Sequence, residues 1–501
     1  MKKGKVYLVG AGPGDPELLT LKGLKALEKA DCIIYDYLSN SVLLNNYEVE
    51  KIYVGKQGKS HTKTQEEINK LLVEKTKKGK TVVRLKGGDP FIFGRGGEEA
   101  EVLEATGLPF QIIPGISSFY AAPAYAGISL THRDYADALE VITGHRRSDR
   151  KKGPLNLPDY NAKKTFVFLM GMENLSSISQ KLIKEKNFPA SLPVAIISWG
   201  TKPEQKVAEG RLDNIVAKVK EKGVKAPAII VVGRVAKLRK KLNWFEALPL
   251  FGKRIVVTRT RSQASKLSEK ISALGAEVIE FPTIEIKSLK PSENFIKKLK
   301  NISQYEWLIF TSPNAVDLFF QFFIEGPRDL RDLKGVKIAV IGPATAEKLE
   351  KRGLRPDLMP VEFVAESLLK EFRKKKLLKK KILLPCSQDA RLTLKEGLEK
   401  LGAKVDRFHL YKTIKPKNLS AEKIEKVKKA DLITFTSSST VLNFYKIIKK
   451  SQATLACIGP ITAQTLREKK ENPQIIAKEY TIDGLVQAIL AFYLGEKNEN
   501  N

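Results

Sequence analysis

The residues best suited to chemistry sit in glycine-rich turns that follow short apolar runs. The first is VGAGPGDPELLT at 9–20. Its glycines at 10, 12 and 14 invite a dinucleotide reading, and two features argue against it. Asp15 stands where G-x-G-x-x-G needs its last glycine, which puts a negative charge beside the pyrophosphate, and Pro13 removes a main-chain donor from the cradle. The second turn, RLKGGDPFIFGRGGEE at 84–99, places glycines, Asp89, Pro90 and two phenylalanines between a strand and a helix. Glycines let a ligand approach the main chain, and an acid there can hold ribose hydroxyls. A plain turn followed by Glu98 and Glu99 as first-turn acids needs fewer of them. The third, IIPGISSFYAAPAYAGISLTHRDYA at 112–136, is rich in small residues and ends in Thr131, His132, Arg133, Asp134 and Tyr135, which reads as tight helix packing or as the edge of a site. The second half offers FTSPNAV (310–316) with FTSSSTV (435–441), and IGPATA (341–346) with IGPITA (458–463), each at a strand end before a helix. Such loops present N–H groups and hydroxyls to anions. Any one Ser or Thr is equally an ordinary N-cap. As paired sets they point to binding, with Thr311, Ser312, Thr436, Ser437, Ser438 and Gly459 as the candidates.

The elements that must position these turns are legible as alternation. Short β-branched runs at 5–9, 81–85, 165–169, 228–232, 255–258, 307–310, 337–341 and 432–436 alternate with helix-period segments such as 17–29, 64–78, 98–105 and 264–274. That pattern predicts an α/β fold with mainly parallel sheets. A basic, then aromatic, then Pro/Gly-closed stretch at 238–253 separates two domains, 1–245 and 252–495. The second carries an internal repeat: RIVVTRTRSQASKLSEKISALGAEVIEFPTIEI (254–286) matches KILLPCSQDARLTLKEGLEKLGAKVDRFHLYKTI (381–414), and the FTS and IGP segments recur in the same order. The expectation is two copies of one α/β unit with a cleft between them, too few and too long for a solenoid.

Composition narrows the partners. Eighty-eight Lys and Arg against 56 Asp and Glu give a net charge of +32 over 501 residues. That balance suits nucleic acid, an anionic membrane or a strongly acidic small molecule. The lysines are scattered through helix-like runs such as FRKKKLLKKK (372–381), as solvated faces are, and no arginine stripe interleaved with aromatics accompanies them. The expectation is no nucleic acid and no membrane partner, with a polycarboxylate substrate still favoured by the field. Cys32, Cys386 and Cys457 form no C-x-x-C pair, and the four histidines show no metal spacing, so the chain reads as reduced, cytoplasmic and metal-free. The apolar run at the N-terminus is too short for a signal segment, and no stretch approaches the roughly 20 apolar residues of a membrane span.

From about Lys5 to Trp244 the motifs together resemble the uroporphyrinogen-III C-methyltransferases of the tetrapyrrole methylase family. The carriers are VGAGPGDPELLTLKGL, the YD of IIYDYLSN, VGK (54–56), the whole RLKGGDPFIFGRGGEE block, PGISS, LTHRDYA, TGH (143–145), FVFLMGM, WGT (199–201) and PAIIVVGRV. The resemblance implies a cofactor cleft between two α/β domains and S-adenosylmethionine as methyl donor, lined by Pro13, Gly87, Gly88, Asp89, Ile92, Ser117, Ser118, Met170, Gly200 and Ala228. The family often has Thr-Ala where this chain has Ser117-Ser118. It further implies Asp36 as proton acceptor, Lys56 as proton donor, methylation of uroporphyrinogen III at ring carbons 2 and 7 to give precorrin-2, and a homodimer through the N-terminal half. Residues 252–492 resemble uroporphyrinogen-III synthases through the repeat segments and VDRFHLYKT (405–413). The implied reaction closes hydroxymethylbilane with inversion of ring D and loss of water, and Tyr411 matches the family tyrosine associated with hydroxyl departure. The rivals are a methylase of a later corrin intermediate, a non-catalytic tetrapyrrole-binding module in the second half, and an RNA methylase suggested by the charge.

Overall fold

The structure, a computed structural model, describes residues 4–38, 41–44, 47–55, 63–144, 156–258, 261–283, 285–325, 328–414, 416, 419 and 421–499, without side-chain detail at 41, 42, 261–265, 422 and 496–499. These fall into two compact units, one built on Met1–Ile255 with Glu269–Val278 and Leu490–Asn501, the other on Val256–Ser268 with Ile279–Ile489. Among the described residues no helix is long and apolar enough to cross a membrane.

The first unit opens with β1 (Lys5–Gly10), β2 (Cys32–Tyr35), β3 (Glu50–Tyr53), β4 (Thr81–Lys86) and β5 (Phe110–Ile113), an all-parallel sheet ordered β3-β2-β4-β1-β5. Val6, Leu8, Ile34 and Val82 pack against helices on one face, and Val9, Ile33, Val83 and Leu85 against Ala26 and Leu27 on the other. Burial on both faces is why β1 and β2 read as nearly unbroken apolar runs rather than alternating ones, whereas β4 carries Arg84 and Lys86 and β3 opens with Glu50 and Lys51. Helix Gln65–Lys77 shows why the local sequence folds as it does. Thr64 and Glu67 form a reciprocal capping box, and Ile68 and Leu72 carry the apolar stripe into the core.

A second sheet follows: β6 (Ala138–Thr143), β7 (Lys164–Leu169), β8 (Pro193–Ser198), β9 (Lys206–Arg211) and β10 (Ala228–Val232), ordered β6-β7-β10-β8-β9. Here only β6–β7 is parallel; β7–β10, β10–β8 and β8–β9 are antiparallel. The mainly parallel expectation therefore fails for this sheet. The loop from 199 to 205 between β8 and β9 is too short for the crossover of a dozen residues that a parallel pair needs, and β10 enters reversed between β7 and β8.

Ten strands remain: β11 (Arg254–Val257), β12 (Glu277–Glu280), β13 (Glu285–Ser288), β14 (Trp307–Phe310), β15 (Lys337–Val340), β16 (Lys381–Ser387), β17 (Lys404–Ile414), β18 (Leu432–Phe435), β19 (Thr454–Cys457) and β20 (Ile475–Ile476). They form two sheets, β12-β11-β18-β19-β20 and β13-β17-β16-β14-β15. The sequence repeat is real, but its copies do not each make a sheet. The front strands of the first copy, β11 and β12, stand beside the rear strands of the second, β18 and β19; β16 and β17 of the second copy stand beside β14 and β15 of the first. Equivalent strands nevertheless occupy equivalent places, so the two sheets share one four-strand order built from exchanged halves, with β20 and β13 added at opposite ends. The chain thus passes between sheets twice, after β12 and after β17, and the tail of β17 pairs antiparallel with β13, Ser288 opposite Tyr411 and Glu285 opposite Ile414.

Candidate active site

The three glycine turns of the first unit meet at the carboxyl ends of parallel strands β1, β4 and β5, where ligands bind in such sheets. They touch main chain to main chain. Gly12 and Gly88 exchange hydrogen bonds of 3.2 and 2.7 Å. A Cβ on Gly10 would lie 2.5 Å from Gly115 Cα and 2.6 Å from Gly88 O, so no larger residue fits. The carboxylate of Asp89 joins two of the turns, accepting from Phe91 N–H at 2.7 Å and from Gly115 N–H at 2.9 Å. Gly88 stands at φ +67°, and a Cβ there would rest in ordinary contact, 3.7 Å from Ser118 N and 3.9 Å from Ser117 Cα. Gly87 leaves room for the Leu38 side chain, which its own Cβ would meet at 2.5 Å. Ser117 is buried and begins helix Ser118–Tyr125 without capping it. Gly87, Gly88, Asp89, Ser117 and Ser118 are thus gathered, with Pro13 in the neighbouring turn and Ile92 41% exposed on the loop beyond Asp89.

Ties run from these turns to the second sheet. Asp15 donates its N–H to Thr201 Oγ1 at 3.0 Å and accepts from the Tyr125 hydroxyl at 2.7 Å. Burial, then Asp15, pushes the Tyr125 phenol up, so it keeps its proton and stays a donor. A Cβ on Gly200 would lie 2.3 Å from Ala122 Cβ, so that glycine lets the 199–205 loop close on helix Ser118–Tyr125. The Tyr37 ring meets Trp199 edge-on at 5.9 Å. Met170 and Ala228 are neighbours one step beyond the Ile229–Leu169 pair, and Met170 is 50% exposed. Phe93, Arg95, Met170, Trp199 and Thr201 all hold positive φ between 51° and 70°. Such strain in non-glycine residues collects where a ligand dictates the loop.

Asp36 follows β2 with its side chain 26% exposed, and Arg84 Nη2 lies 3.3 Å from its Oδ2. Behind this pair is a buried charge cluster. Glu99, wholly buried, accepts at Oε1 from Arg84 Nε (3.1 Å), Lys86 Nζ (2.8 Å) and Gln65 Nε2 (3.2 Å), while its Oε2 has no partner. Arg84 also donates to the Leu85 carbonyl at 3.1 Å. Burial and Arg84 pull the Lys86 amine down against Glu99 and Asp36, which raise it. Lys56 and His145 lie outside the described residues.

In the second half the predicted hydroxyls divide between two sheets. Ser312, after β14, accepts the Ala315 N–H at 3.2 Å as an N-cap and also pairs with the Tyr411 hydroxyl at 2.8 Å. Burial pushes the Tyr411 phenol up while Ser312 pulls it back. Thr311 precedes this pair. On the other sheet Ser437 accepts the Thr440 N–H at 3.3 Å, Ser438 accepts from the Thr465 hydroxyl at 2.7 Å, Thr436 is half-buried, and Gly459 precedes helix Pro460–Glu468. Residues 5–216 match the tetrapyrrole (corrin/porphyrin) methylases, and residues 265–487 match uroporphyrinogen-III synthase HemD. A porphyrin biosynthesis protein HemD of Ruminiclostridium josui is 39% identical over 505 aligned residues, covering 98% of each chain. This chain belongs to that family, a tetrapyrrole methylase joined to a uroporphyrinogen-III synthase. A uroporphyrinogen-III C-methyltransferase of Bacillus subtilis is 44% identical over 359 residues, 70% of this chain and 72% of the relative. One of Methanocaldococcus jannaschii is 51% identical over 234 residues, 46% of this chain and 96% of the relative.

Several residues of the methylase half escaped the sequence reading. Asp15 signalled only what it excludes, yet it fastens the first turn to Thr201 and Tyr125. Arg84 and Lys86 sit in a strand buried on both faces, and a charge in such a strand was the available signal for a buried acid opposite. In the synthase half, Ser312 and Tyr411 are 99 residues apart and no local pattern pairs them. The three cysteines are free and buried; burial raises the Cys32 and Cys457 thiols to about 11 and about 12, which leaves them inert.

Proposed function

We propose that the methylase, residues 1–245, transfers two methyl groups from S-adenosylmethionine to uroporphyrinogen III, at C2 and C7, giving precorrin-2, and that the synthase, residues 252–495, makes that uroporphyrinogen III from hydroxymethylbilane with inversion of ring D. The observation that carries the methylase reading is the packing of the Gly10, Gly88 and Gly115 turns main chain on main chain, with Gly88 lying against Ser117 and Ser118. That glycine cradle fits a nucleoside-bearing donor, held by Pro13, Gly87, Gly88, Asp89, Ile92, Ser117, Ser118, Met170, Gly200 and Ala228. S-adenosylmethionine supplies a sulfonium-activated methyl group when bound. The chain's own task is to orient the pyrrole carbon and to manage protons. Asp36, gripped by Arg84, takes the proton released as the pyrrole rearranges, and Lys56 returns one.

In the synthase, Tyr411 serves hydroxyl departure. A phenol kept protonated by burial and steadied by Ser312 suits a donor. Thr311, Ser312, Thr436, Ser437, Ser438 and Gly459 take substrate carboxylates, and the +32 charge favours a substrate with many of them. The protein works in the cytoplasm as a homodimer through its methylase half, on tetrapyrroles rather than nucleic acid or membrane. The test supplies uroporphyrinogen III and S-adenosylmethionine to the intact chain and weighs the product. A mass gain of two methyl groups supports the reading; an unchanged tetrapyrrole with folded protein rejects it.

A further inference from the structure

The exchanged-halves architecture repeats one unusual construction. Gly342 ends the segment after β15 and precedes helix Pro343–Glu350; Gly459 does the same after β19 and precedes helix Pro460–Glu468. Against each glycine lies an aromatic ring. A Cβ on Gly342 would stand 3.5 Å from Phe363 Cβ, and one on Gly459 would stand 3.0 Å from Tyr480 Cδ1. Glycines and rings are both 117 positions apart (459 − 342 and 480 − 363), the spacing of the repeat itself at this point. Phe363 is 54% exposed and Tyr480 65%, whereas Phe310 and Phe435 on the strands, and Phe319, Phe323 and Phe444 on the helices that follow them, are wholly buried. A single exposed ring is ordinary. The same ring on the same seat in both sheets is a built feature.

Its position narrows the occupant. β14 and β15 are parallel neighbours, as are β18 and β19, so each ring shares a carboxyl sheet edge with the hydroxyl loops of Ser312 or Ser437. Val361, 92% exposed, extends the apolar surface beside Phe363, and Ile461, 75% exposed, does so at the start of the helix that Gly459 precedes. We propose that Phe363 and Tyr480 are the pyrrole-face contacts of the synthase, one per sheet, holding a linear tetrapyrrole at two of its rings while its carboxylates meet the neighbouring loops. The flat, electron-rich pyrroles recur along such a substrate as the seats recur across the repeat, and ring-on-ring packing suits both. This rests on the synthase reading above and goes beyond it, since neither ring belongs to the hydroxyl and glycine set assigned there.

The experiment gives hydroxymethylbilane, without S-adenosylmethionine, to the full chain and to Phe363→Ala, Tyr480→Ala, Phe363→Tyr and Tyr480→Phe. Both rings are exposed, so folding is little disturbed. Each alanine variant is expected to raise KM about tenfold, equivalent to ~1.4 kcal/mol, with a smaller effect on kcat and a larger share of the uninverted product. The aromatic swaps stay near wild type. Methylation of added uroporphyrinogen III is unchanged in all four. Alanine variants with wild-type KM would overturn the proposal, as would a sedimentation change with KM intact, which would make the rings a contact between copies. A wild-type chain that yields no inverted product would instead remove the synthase reading, and this inference with it.

Discussion

Replacing Glu99 by Gln keeps its shape and removes one buried charge. In the native chain Glu99 and Asp36 balance Arg84 and Lys86, with Glu99 itself wholly buried. In the variant two buried cations share the half-exposed carboxylate of Asp36. Breaking a buried pair from one side costs about 3–5 kcal/mol. The glutamine oxygen can still accept from Arg84 or Lys86, which places the cost near the lower end, about 3 kcal/mol. At ~1.4 kcal/mol per decade this speeds exchange of the most protected amides by roughly a hundredfold. The assay is hydrogen exchange on the full chain, read at β1 and β4 peptides, whose core includes the wholly buried Val6, Leu8, Val82 and Val83. Adding Lys86→Met removes one charge of the opposite sign and leaves the Arg84–Asp36 pair, so most of the protection returns. The pH dependence has a definite sign. Burial and Arg84 already lower the Lys86 amine, and losing Glu99 lowers it further. The folded variant then binds fewer protons than the unfolded chain, so its stability rises with pH from the lowered value up to the ordinary 10.5, and the exchange deficit shrinks across that window. Exchange at β1 and β4 that stays at the wild-type rate, or a double variant worse than the single one, would refute this reasoning.

Two further outcomes follow from contacts elsewhere. Gly200→Ala drives its methyl into Ala122 and costs about 1–3 kcal/mol of overpacking; calorimetry should show a lowered transition that Ala122→Gly in the same chain restores, and an unshifted transition would contradict the close approach. Tyr305 is buried and donates to Asp406 at 2.5 Å, and burial, then Asp406, raises its phenol. A raised acid stabilises below its ordinary value of 10 and loses that contribution as pH climbs beyond it. Urea midpoints of Tyr305→Phe should therefore fall less steeply than wild type above that pH, and parallel slopes would show that the phenol does not matter.

What the sequence disclosed and what it hid follow from the range of the forces involved. β1 and β10 were legible because strands buried on both faces are almost wholly apolar, and β4 was legible as a β-branched run in spite of the buried charges Arg84 and Lys86. The turns at 10–14, 87–88 and 115 were legible because only glycine permits main chain to touch main chain, so proximity left its mark in residue type. Asp36, for which we propose proton handling, entered through resemblance, and its grip by Arg84 did not show, because charge pairing across β2 and β4 depends on strand order. The repeat announced itself, but its exchanged halves did not: equivalent strands have the same sequence whichever copy they pair with. The antiparallel half of the second sheet was hidden for a related reason, since strand direction lies in loop length and not in the apolar pattern. Ser312 and Ser437 looked like caps or ligands; in the fold both accept a helix N–H as caps, and Tyr411 is brought to the first.

The account stands on one chain performing consecutive steps on one tetrapyrrole. Hydroxymethylbilane given to the intact protein with S-adenosylmethionine should yield a dimethylated tetrapyrrole of the inverted isomer series, and without the donor the unmethylated inverted macrocycle. An unmethylated product in the presence of the donor, or a methylated one of the uninverted series, would contradict it.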